Sequence, residues 1–297
     1  MRFTLRQLEV FVAVARFESV SRAARELGMS QSAASGSLAD LESQFDVQLF
    51  DRVGKRLTLS ELGRAVRPGA EALDAQAREL ETRLANRDEL GPLRVGATLS
   101  IGNYLLGPLL ARFLKSYPAA KVSVVIANTA KIARAVQNFE LDVGLIEGEL
   151  EDPELEMTSF RRDELSVFCA PEHPFAKLRK LGEAELRSAR WIVREPGSGT
   201  RQAFEHSMHG ILPELQILLE LQHTEAIKSA VKAGLGVGCV SRIALTEEFN
   251  AGTLKPCRVP GRDFRRQFYL VVRRDKYRGP AIREWFSLAR SMPATKC

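Results

Sequence analysis

Residues 19–42 constrain the fold of this chain more than any other stretch. Small apolar residues recur there at helical spacing on either side of Gly28, which permits the backbone conformation at which a helix ends. Ser19 or Ser21 can cap the first helix, and Ser30 can cap the second. The stretch therefore predicts two short helices joined by a tight turn, an arrangement in which the second helix can enter the DNA major groove.

The second of these helices has one face that must be buried and others that can reach DNA. Ala34, Leu38 and Leu41 share the apolar face. Short polar side chains on the remaining surface are suited to contact base edges or the phosphate backbone. A small-residue helical hairpin inside some other kind of domain would explain this stretch equally well by itself. The DNA-contacting residues predicted within the helix pair are Ser21, Arg22, Ser30, Gln31, Ser32, Ser35 and Ser37.

Residues 51–59 predict a short two-stranded ribbon that turns at Gly54 and has a basic tip. A basic ribbon directly after a DNA-reading helix is the wing of a winged helix-turn-helix, where it reaches phosphates or the minor groove. Arg52, Lys55 and Arg56 are the predicted contacts. The ribbon therefore favours a DNA-binding domain over an unrelated helical hairpin.

The distribution of charge refines this prediction. The formal net charge of the chain is +6 at pH 7, yet its first 90 residues contain 13 basic and 14 acidic side chains. Between residues 52 and 67, however, five basic residues face a single acidic one, Glu61. Attraction to DNA phosphates is therefore expected from the wing and the start of the following helix, not from the charge of the whole domain.

A long helix is predicted to begin at Ser60 and to end near Asn86. Its apolar residues alternate in steps of four and three, which is the heptad pattern of a helix that packs against another helix. Packing against its own wing would account for the first two of these residues but not for the following turns. Pro68 is expected to bend the helix or to leave one carbonyl unpaired. The residues assigned to dimerisation are Leu62, Val66, Leu73, Ala77, Leu80 and Leu84.

After a charged linker that ends in a Gly-Pro pair, strand and helix patterns alternate along the chain. This alternation is typical of parallel βαβ units and predicts the α/β class. It divides into lobe I, residues 91–161 and 267–297, and lobe II, residues 162–266. The chain is expected to cross between the lobes near residues 160–162 and 264–266.

Four strand-to-helix junctions in the two lobes carry small hydroxyl or amide side chains. Ligands of open α/β sheets bind beyond the carboxyl ends of the strands, where helix N-termini offer N–H donors that favour an anion. One such junction is better explained as a helix cap, but four together favour convergence on a ligand. Arg201 could add positive charge, His223 could donate a hydrogen bond, and Glu147 would repel an anion unless it is protonated or paired. The residues assigned to ligand binding are Thr98, Ser100, Ile101, Asn128, Thr129, Glu147, Ser198, Gly199, Thr200, Arg201, His223 and Thr224.

Residues 7–11 (QLEVF), 21–24 (SRAA) and 49–52 (LFDR) resemble the N-terminal signature of LysR-type transcriptional regulators, and the resemblance extends over essentially the whole chain. Gly36 stands where many members carry a large or basic residue, so base readout by this helix rests on fewer side chains. The resemblance implies a bacterial, cytoplasmic homodimer or homotetramer that binds double-stranded DNA and contacts RNA polymerase. It divides the chain into a winged helix-turn-helix DNA-binding domain, residues 1–59, a linker and dimerisation helix, residues 60–90, and a two-lobed effector-binding domain with a periplasmic-binding-protein-like fold, residues 91–297.

Residues 101–106 (IGNYLL), 145–148 (LIEG) and 194–201 (REPGSGTR) resemble one branch of that family. The branch includes regulators that respond to sulfite and regulators of sulfur and carbon assimilation. The resemblance implies a small anionic effector between the lobes. A sulfur oxyanion is the first expectation, and an organic carboxylate is the second.

Other classes of function lack support in the sequence. Residues 233–238 resemble part of a nucleotide-binding glycine motif, but they follow a predicted helix and precede a strand, the reverse of the order that a dinucleotide site needs. Four histidines without metal-ligand spacing, and the lack of a nucleophile motif, predict no enzyme, no metal and no cofactor. A plain solute-binding protein is opposed by the first 90 residues and by the missing signal peptide.

Cysteine usage and hydropathy favour the cytoplasm. The four cysteines, Cys169, Cys239, Cys257 and Cys297, contain no C-x-x-C pair, which indicates neither a zinc site nor a disulfide framework. A redox role for one of them stays open. No run approaches the roughly 18–20 apolar residues of a transmembrane helix, so no membrane partner is expected.

Overall fold

The computed structural model describes residues 2–53, 56–85 and 90–292. They form an N-terminal head, a long linker helix and a two-lobed α/β domain, which confirms the predicted fold class. Gly54, Lys55 and Cys297 lie outside the described residues, and so do the side chains of Arg52 and Arg56.

The head contains the predicted helix pair. Ser19 and Ser30 each accept a backbone N–H from the first turn of the helix that follows them. Gly28 between the two helices has a φ of +62°, a left-handed conformation that glycine adopts without strain. The turn is therefore made as the sequence indicates, with Ser19 and not Ser21 as the first cap. The elements of the head are α1 (Leu5–Phe17), α2 (Val20–Glu26), α3 (Gln31–Phe45), β1 (Phe50–Val53) and β2 (Arg56–Leu59).

Strands β1 and β2 form the predicted antiparallel ribbon, with Phe50 opposite Leu59 and Val53 opposite Arg56. Phe50 also packs edge-on against Phe11 of α1, with the ring centroids 5.7 Å apart. Since this pair joins the ribbon to the core of the head, the wing starts from a fixed position beside α3.

The linker helix α4 (Glu61–Ala85) continues through Pro68. Ala70 and Glu71 are buried, at 6% and 4% exposure, whereas the large side chains of the predicted seam face outward and Ala77 is partly exposed. A row of exposed leucines along one helix is unfavourable in water and is typical of a contact surface. The exposed fractions are 41% for Leu62, 40% for Val66, 46% for Leu73, 59% for Leu80 and 79% for Leu84.

The α/β domain begins with β3 and ends with α12. Its strands are β3 (Leu93–Ala97), β4 (Val122–Ile126), β5 (Val143–Glu147), β6 (Leu155–Cys169), β7 (Arg190–Arg194), β8 (Gln216–Leu221), β9 (Val237–Ser241), β10 (Lys255–Cys257) and β11 (Arg265–Arg273). Its helices are α5 (Leu99–Tyr104), α6 (Leu106–Ser116), α7 (Thr129–Gln137), α8 (Glu183–Ser188), α9 (Gly199–Ser207), α10 (Thr224–Lys232), α11 (Thr246–Ala251) and α12 (Pro280–Arg290).

The strands run in the order β4-β3-β5-β11-β6 through lobe I and β6-β9-β7-β8 through lobe II. Strand β3 pairs parallel with β4 and β5, and β7 pairs parallel with β8 and β9, as the alternating pattern predicts. The long strands β6 and β11 are antiparallel to each other. The chain passes between the lobes along β6 and at the start of β11, so the carboxyl end of β5 faces the crevice.

Each lobe has a core of its own. Phe113 packs against Trp285 in lobe I, with centroids 5.4 Å apart, and Trp191 packs against Phe204 in lobe II at 5.0 Å. Among the described residues, no helix has the length and apolar character needed to cross a membrane.

Candidate effector site and DNA-binding surface

The crevice between the lobes is centred on the carboxylate of Glu147, which ends β5 and is 1% exposed. Oε1 accepts hydrogen bonds from the hydroxyl of Thr98 and from the backbone N–H of Ser100, both at 2.9 Å. Oε2 accepts from the hydroxyl of Thr200 at 2.7 Å and from the guanidinium Nη1 of Arg266 at 2.8 Å. We call these five residues the effector cluster.

Three of the four donors of the effector cluster, Thr98, Ser100 and Thr200, lie at helix N-termini. Thr98 is the N-cap residue of α5, but its side chain makes no capping hydrogen bond and donates to Glu147 instead. Ser198 and Asn128, in contrast, cap α9 and α7 with their side chains. Helix capping therefore explains Ser198 and part of the role of Asn128, whereas the hydroxyl of Thr98 binds the buried carboxylate of Glu147. Backbone N–H groups at these helix ends add a field that favours negative charge.

Arg266, at the start of β11, belongs to the effector cluster although the sequence does not single it out as a site residue. Its Nε donates to Asp163 at 2.7 Å, and Asp163 accepts a further hydrogen bond from Ser241 at 2.7 Å. Its Nη2 is buried and has no hydrogen-bond partner within the described residues. Arg266 is 119 residues from Glu147. The available signal is the pair of basic residues, Arg265 and Arg266, that precedes the apolar middle of the strand.

Glu147 is ionised at neutral pH. Burial alone would raise the pKa of its carboxyl group, but the charge of Arg266 and the hydrogen bonds from Thr200 and Thr98 lower the pKa to about 2. The sequence leaves open how an acidic side chain fits a site for anions. The answer is pairing with Arg266, so the donors that suit an anion already hold a carboxylate of the chain itself.

Thr129 and Gly199 join the two lobes beside this carboxylate. The hydroxyl of Thr129 donates to the carbonyl oxygen of Glu147 at 3.0 Å and accepts the N–H of Gly199 at 3.1 Å. A Cβ at position 199 would lie 1.9 Å from that carbonyl oxygen, so only glycine fits. Asn128 also donates to Glu195 of lobe II at 3.1 Å. The lobes are therefore in direct contact at the crevice.

The other residues assigned to ligand binding lie apart from the carboxylate. The guanidinium of Arg201 pairs with Glu205 and Glu220, both at 2.6 Å, and donates to a backbone carbonyl, so its charge is not directed into the crevice. Ile101 is fully buried in the core of lobe I. At the start of α10, His223 is exposed, whereas Thr224 is buried.

The face of α3 that is available to DNA carries short polar side chains. Gln31, Ser32 and Ser35 are exposed, and Ser37 is partly buried. Nothing lies within 4 Å of the position that a Cβ of Gly36 would occupy, so this part of the surface is open.

Two residues of the helix pair have structural partners. Ser30 caps α3 and shares a hydrogen bond with Ser32 at 3.0 Å. Arg22 donates to the carbonyl of Phe17 at the end of α1, at 2.7 Å. Ser21 is exposed at the start of α2. The first turns of α3 thus present a shallow surface without charged side chains.

Two family models together match almost the entire chain. Residues 5–64 match the bacterial regulatory helix-turn-helix protein model of the lysR family, and residues 86–293 match the LysR substrate binding domain. The chain belongs to the LysR family. It is therefore a DNA-binding transcriptional regulator with an effector-binding domain and not an enzyme.

Relatives of similar length support this assignment. The chain is 41% identical over 285 residues to the HTH-type transcriptional regulator YeiE of Escherichia coli, covering 96% of each. It is 35% identical to the RuBisCO operon transcriptional regulator of Allochromatium vinosum, covering 95% of this chain and 93% of the relative.

Solved structures share the fold. Full-length OxyR of Pseudomonas aeruginosa has a TM-score of 0.74 at 21% identity and covers 97% of this chain and 94% of its own. Full-length CbnR complexed with its target DNA has a TM-score of 0.57 at 20% identity, with coverages of 97% and 99%. The regulatory domain of CcmR from Synechocystis, in complex with 2-PG, has a TM-score of 0.63 at 27% identity and covers 69% of this chain and 100% of its own.

Proposed function

We propose that this LysR-type regulator binds a small anion at the effector cluster and that the bound anion changes how a dimer of the protein engages DNA. The observation that carries the proposal is the convergence of Thr98, Ser100, Thr200 and Arg266 on one negatively charged group that is almost fully buried. Donors that satisfy a dry carboxylate can also satisfy an oxyanion of similar geometry that takes its place.

The unused donor of Arg266 supports the same assignment. Its Nη2 is buried without a partner in the described part of the chain, which is an unfavourable state for a guanidinium N–H. An oxyanion that enters the crevice would supply the missing acceptor. Because Glu147 already balances the charge of Arg266, the incoming anion must displace this carboxylate or bring a proton with it.

Sulfite is the first candidate for the effector, and an organic carboxylate is the second. Both present two or more oxygens about as far apart as those of the Glu147 carboxylate. The related regulatory domain of CcmR was solved with 2-PG, which supports a small molecule as the ligand of this fold. The resemblance of residues 101–106, 145–148 and 194–201 to the sulfite-responsive branch decides the order of the two candidates.

The effector assignment is tested by thermal unfolding of the full-length protein with sulfite. Sulfite at roughly one hundred times its Kd should raise the free energy of unfolding by about 2.7 kcal/mol. Thr200→Ala removes one of the hydroxyl donors and should reduce the shift to about half or less at the same sulfite concentration. Thr246→Ala, at an exposed threonine of α11, is the matched control and should keep it. A shift retained in full by Thr200→Ala would place the sulfite site elsewhere, and a shift with carboxylates alone would select the second candidate.

We further propose that two copies associate through the seam of α4. Leu73, Leu80 and Leu84 are 46%, 59% and 79% exposed, and a second α4 would cover them. The two heads would then read two half-sites of DNA, with α3 in the major groove. Arg52, Lys55 and Arg56 of the wing would contact phosphates, and the DNA-bound dimer would contact RNA polymerase. Since Gly36 leaves the face of α3 flat, paired half-sites and DNA shape would supply much of the specificity.

A further inference from the structure

Helix α4, which carries the head, meets lobe I of the same chain at a set of buried and half-buried charges and one aromatic ring. We call this set the docking cluster. Arg16 comes from α1, the next two residues come from α4, and the remaining four come from lobe I. Its members are Arg16, Arg67, Glu71, Arg94, Phe139, Asp142 and Lys276.

Arg67 contacts lobe I directly from α4. Its guanidinium donates to the carbonyl of Asn138 and lies 5.1 Å from the centroid of the Phe139 ring. Arg273 and Lys276 lie against the same ring at 4.7 and 5.3 Å. Phe139 has a φ of +57°, a left-handed conformation that is unfavourable for an aromatic residue. The loop after α7 is therefore held in an uncommon conformation that presents both the carbonyl and the ring to Arg67.

Glu71 lies at the centre of the docking cluster but is incompletely satisfied. Its carboxylate is 3.6 Å from Arg67 and 3.7 Å from Arg16, distances that are long for ion pairs in a buried place. Within the described residues, Oε1 of Glu71 and the Nε atoms of both arginines are buried without a hydrogen-bond partner. Burial raises the pKa of Glu71, and the nearby charges of Lys276 and Arg16 offset this rise only in part. A buried charge cluster with unmade hydrogen bonds positions its partners but separates readily.

Open space lies beside the docking cluster. A cavity of about 1070 Å³ lies between the head, α4 and lobe I. Its wall includes Arg16 and Asp74 on one side, and Arg94, Asp142 and Lys276 on the other. Helix α4 therefore meets lobe I at the docking cluster and again at Glu79, whose carboxylate accepts a hydrogen bond from Tyr277, and the cavity is open beside both contacts.

Three elements of lobe I connect the effector cluster to the docking cluster. One end of each element lies at the carboxylate of Glu147 or beside it. The other end lies at the residues that contact Arg67 or at the charges close to Glu71. Helix α7 and strands β5 and β11 are hydrogen-bonded segments, so we expect a shift at one end to move the other. The residues at or next to the paired ends, effector side first, are Thr129 and Asn138 for α7, Glu147 and Asp142 for β5, and Arg266 and Arg273 for β11.

We propose that the docking cluster is the surface by which lobe I sets the orientation of its own DNA-binding head, and that α7, β5 and β11 transmit a change at the effector cluster to it. The docking itself depends on contacts that are present without an effector. The transmission rests on the proposed function, because it requires an anion at the effector cluster. The two parts therefore need separate measurements.

The docking is tested by the distance between a spin label on the head and one on lobe I. Ser43→Cys in α3 and Ser116→Cys at the end of α6 are exposed positions for the labels. Cys297→Ser removes the native cysteine that lies outside the described residues, and the other three native cysteines are buried. Labelled protein is diluted with an excess of unlabelled protein, so that each dimer reports one intramolecular distance.

A narrow distribution of this distance is expected for the parent protein. Arg67→Ala removes the contacts to Asn138 and Phe139, and Glu71→Gln removes the central charge while keeping the shape of the side chain, so each should broaden the distribution or shift it. Glu61→Gln, on the exposed first turn of the same helix, should leave it unchanged. Distributions in both test variants that match the parent would overturn the proposal. Thermal unfolding of each variant confirms that the lobes are still folded.

The transmission is tested by measuring anion binding and DNA binding on the same variant. Arg67 is remote from the effector cluster, so Arg67→Ala should bind sulfite as the parent does. In the parent, sulfite should change the affinity for DNA by about fivefold or more, a typical size for allosteric coupling. In Arg67→Ala this change should be lost. An undiminished change in the variant would contradict the transmission, whereas a parent that does not bind sulfite would contradict the effector assignment and leave the docking result standing.

Discussion

Arg266→Met is expected to lower the free energy of unfolding by about 3–5 kcal/mol, because it leaves the carboxylate of Glu147 buried and without a counter-charge. The chain contains two tryptophans, Trp191 in lobe II and Trp285 in lobe I, and both are fully buried. Their fluorescence during urea unfolding therefore reports both lobes. If the free energy of unfolding falls by no more than an ordinary surface substitution would cause, Arg266 does not compensate the buried charge of Glu147.

The matched control removes both charges at once. In the double variant Glu147→Gln with Arg266→Met, the carboxylate of Glu147 is absent and only that of Asp163 has lost its counter-charge, while it keeps its hydrogen bond from Ser241. Part of the lost stability should therefore return. A double variant as unstable as Arg266→Met would assign the loss to packing around the arginine or to its second partner, Asp163.

The pKa of Glu147 determines how the free energy of unfolding changes with pH. This pKa is lowered to about 2 from an ordinary 4.5, so the contribution of the ion pair is fully present above about pH 4.5 and is lost as the pH falls toward 2. In Arg266→Met, burial without the guanidinium should raise the pKa of Glu147 instead. Protonation would then relieve the unpaired charge, and the difference between variant and parent should shrink as the pH is lowered from 7 to 5.

Leu73→Asp is expected to disrupt the association of two copies and to weaken DNA binding by about 100-fold or more, because a single head loses the avidity of two linked half-sites. Leu73 is 46% exposed in the middle of the α4 seam, so a charge there need not disturb the fold of the protomer. Sedimentation velocity and fluorescence anisotropy with duplex DNA measure the two effects. Gln76→Asp, at an exposed polar position of the same helix, is the control and should change neither. Unaltered size and affinity in Leu73→Asp would exclude α4 as the dimer contact.

Features set by neighbouring residues were predictable from the sequence. Ser19, Gly28 and Ser30 determine the helix pair through a cap, a left-handed turn and a second cap, and each acts within a few residues. The α/β class followed from the alternation of strands and helices, because parallel strands need crossover helices. The exposure of the α4 seam followed from its heptad spacing.

Contacts between distant parts of the chain were not predictable. Arg266 reaches Glu147 across 119 positions, and Arg67 reaches Asn138 across 71. A basic side chain in a strand or helix gives no local sign of which carboxylate or carbonyl it will meet. The partners of Arg201 were equally hidden, since its place beside a helix N-terminus predicts a ligand contact and gives no sign of the ion pairs with Glu205 and Glu220. The arrangement of strands and helices in space decides which buried charges form pairs. The sequence shows directly only the order of these elements along the chain.

An anion bound at the effector cluster should change the affinity of the protein for DNA. A duplex that this protein selects from a random library is titrated with and without the anion that gives the largest thermal shift. In the parent protein the anion should change the Kd for the duplex by about fivefold or more. At the same anion concentration the change should be smaller in Thr200→Ala, which lacks a donor to the anion. Identical binding curves for the parent with and without a saturating amount of that anion would show that the anion does not act on DNA binding.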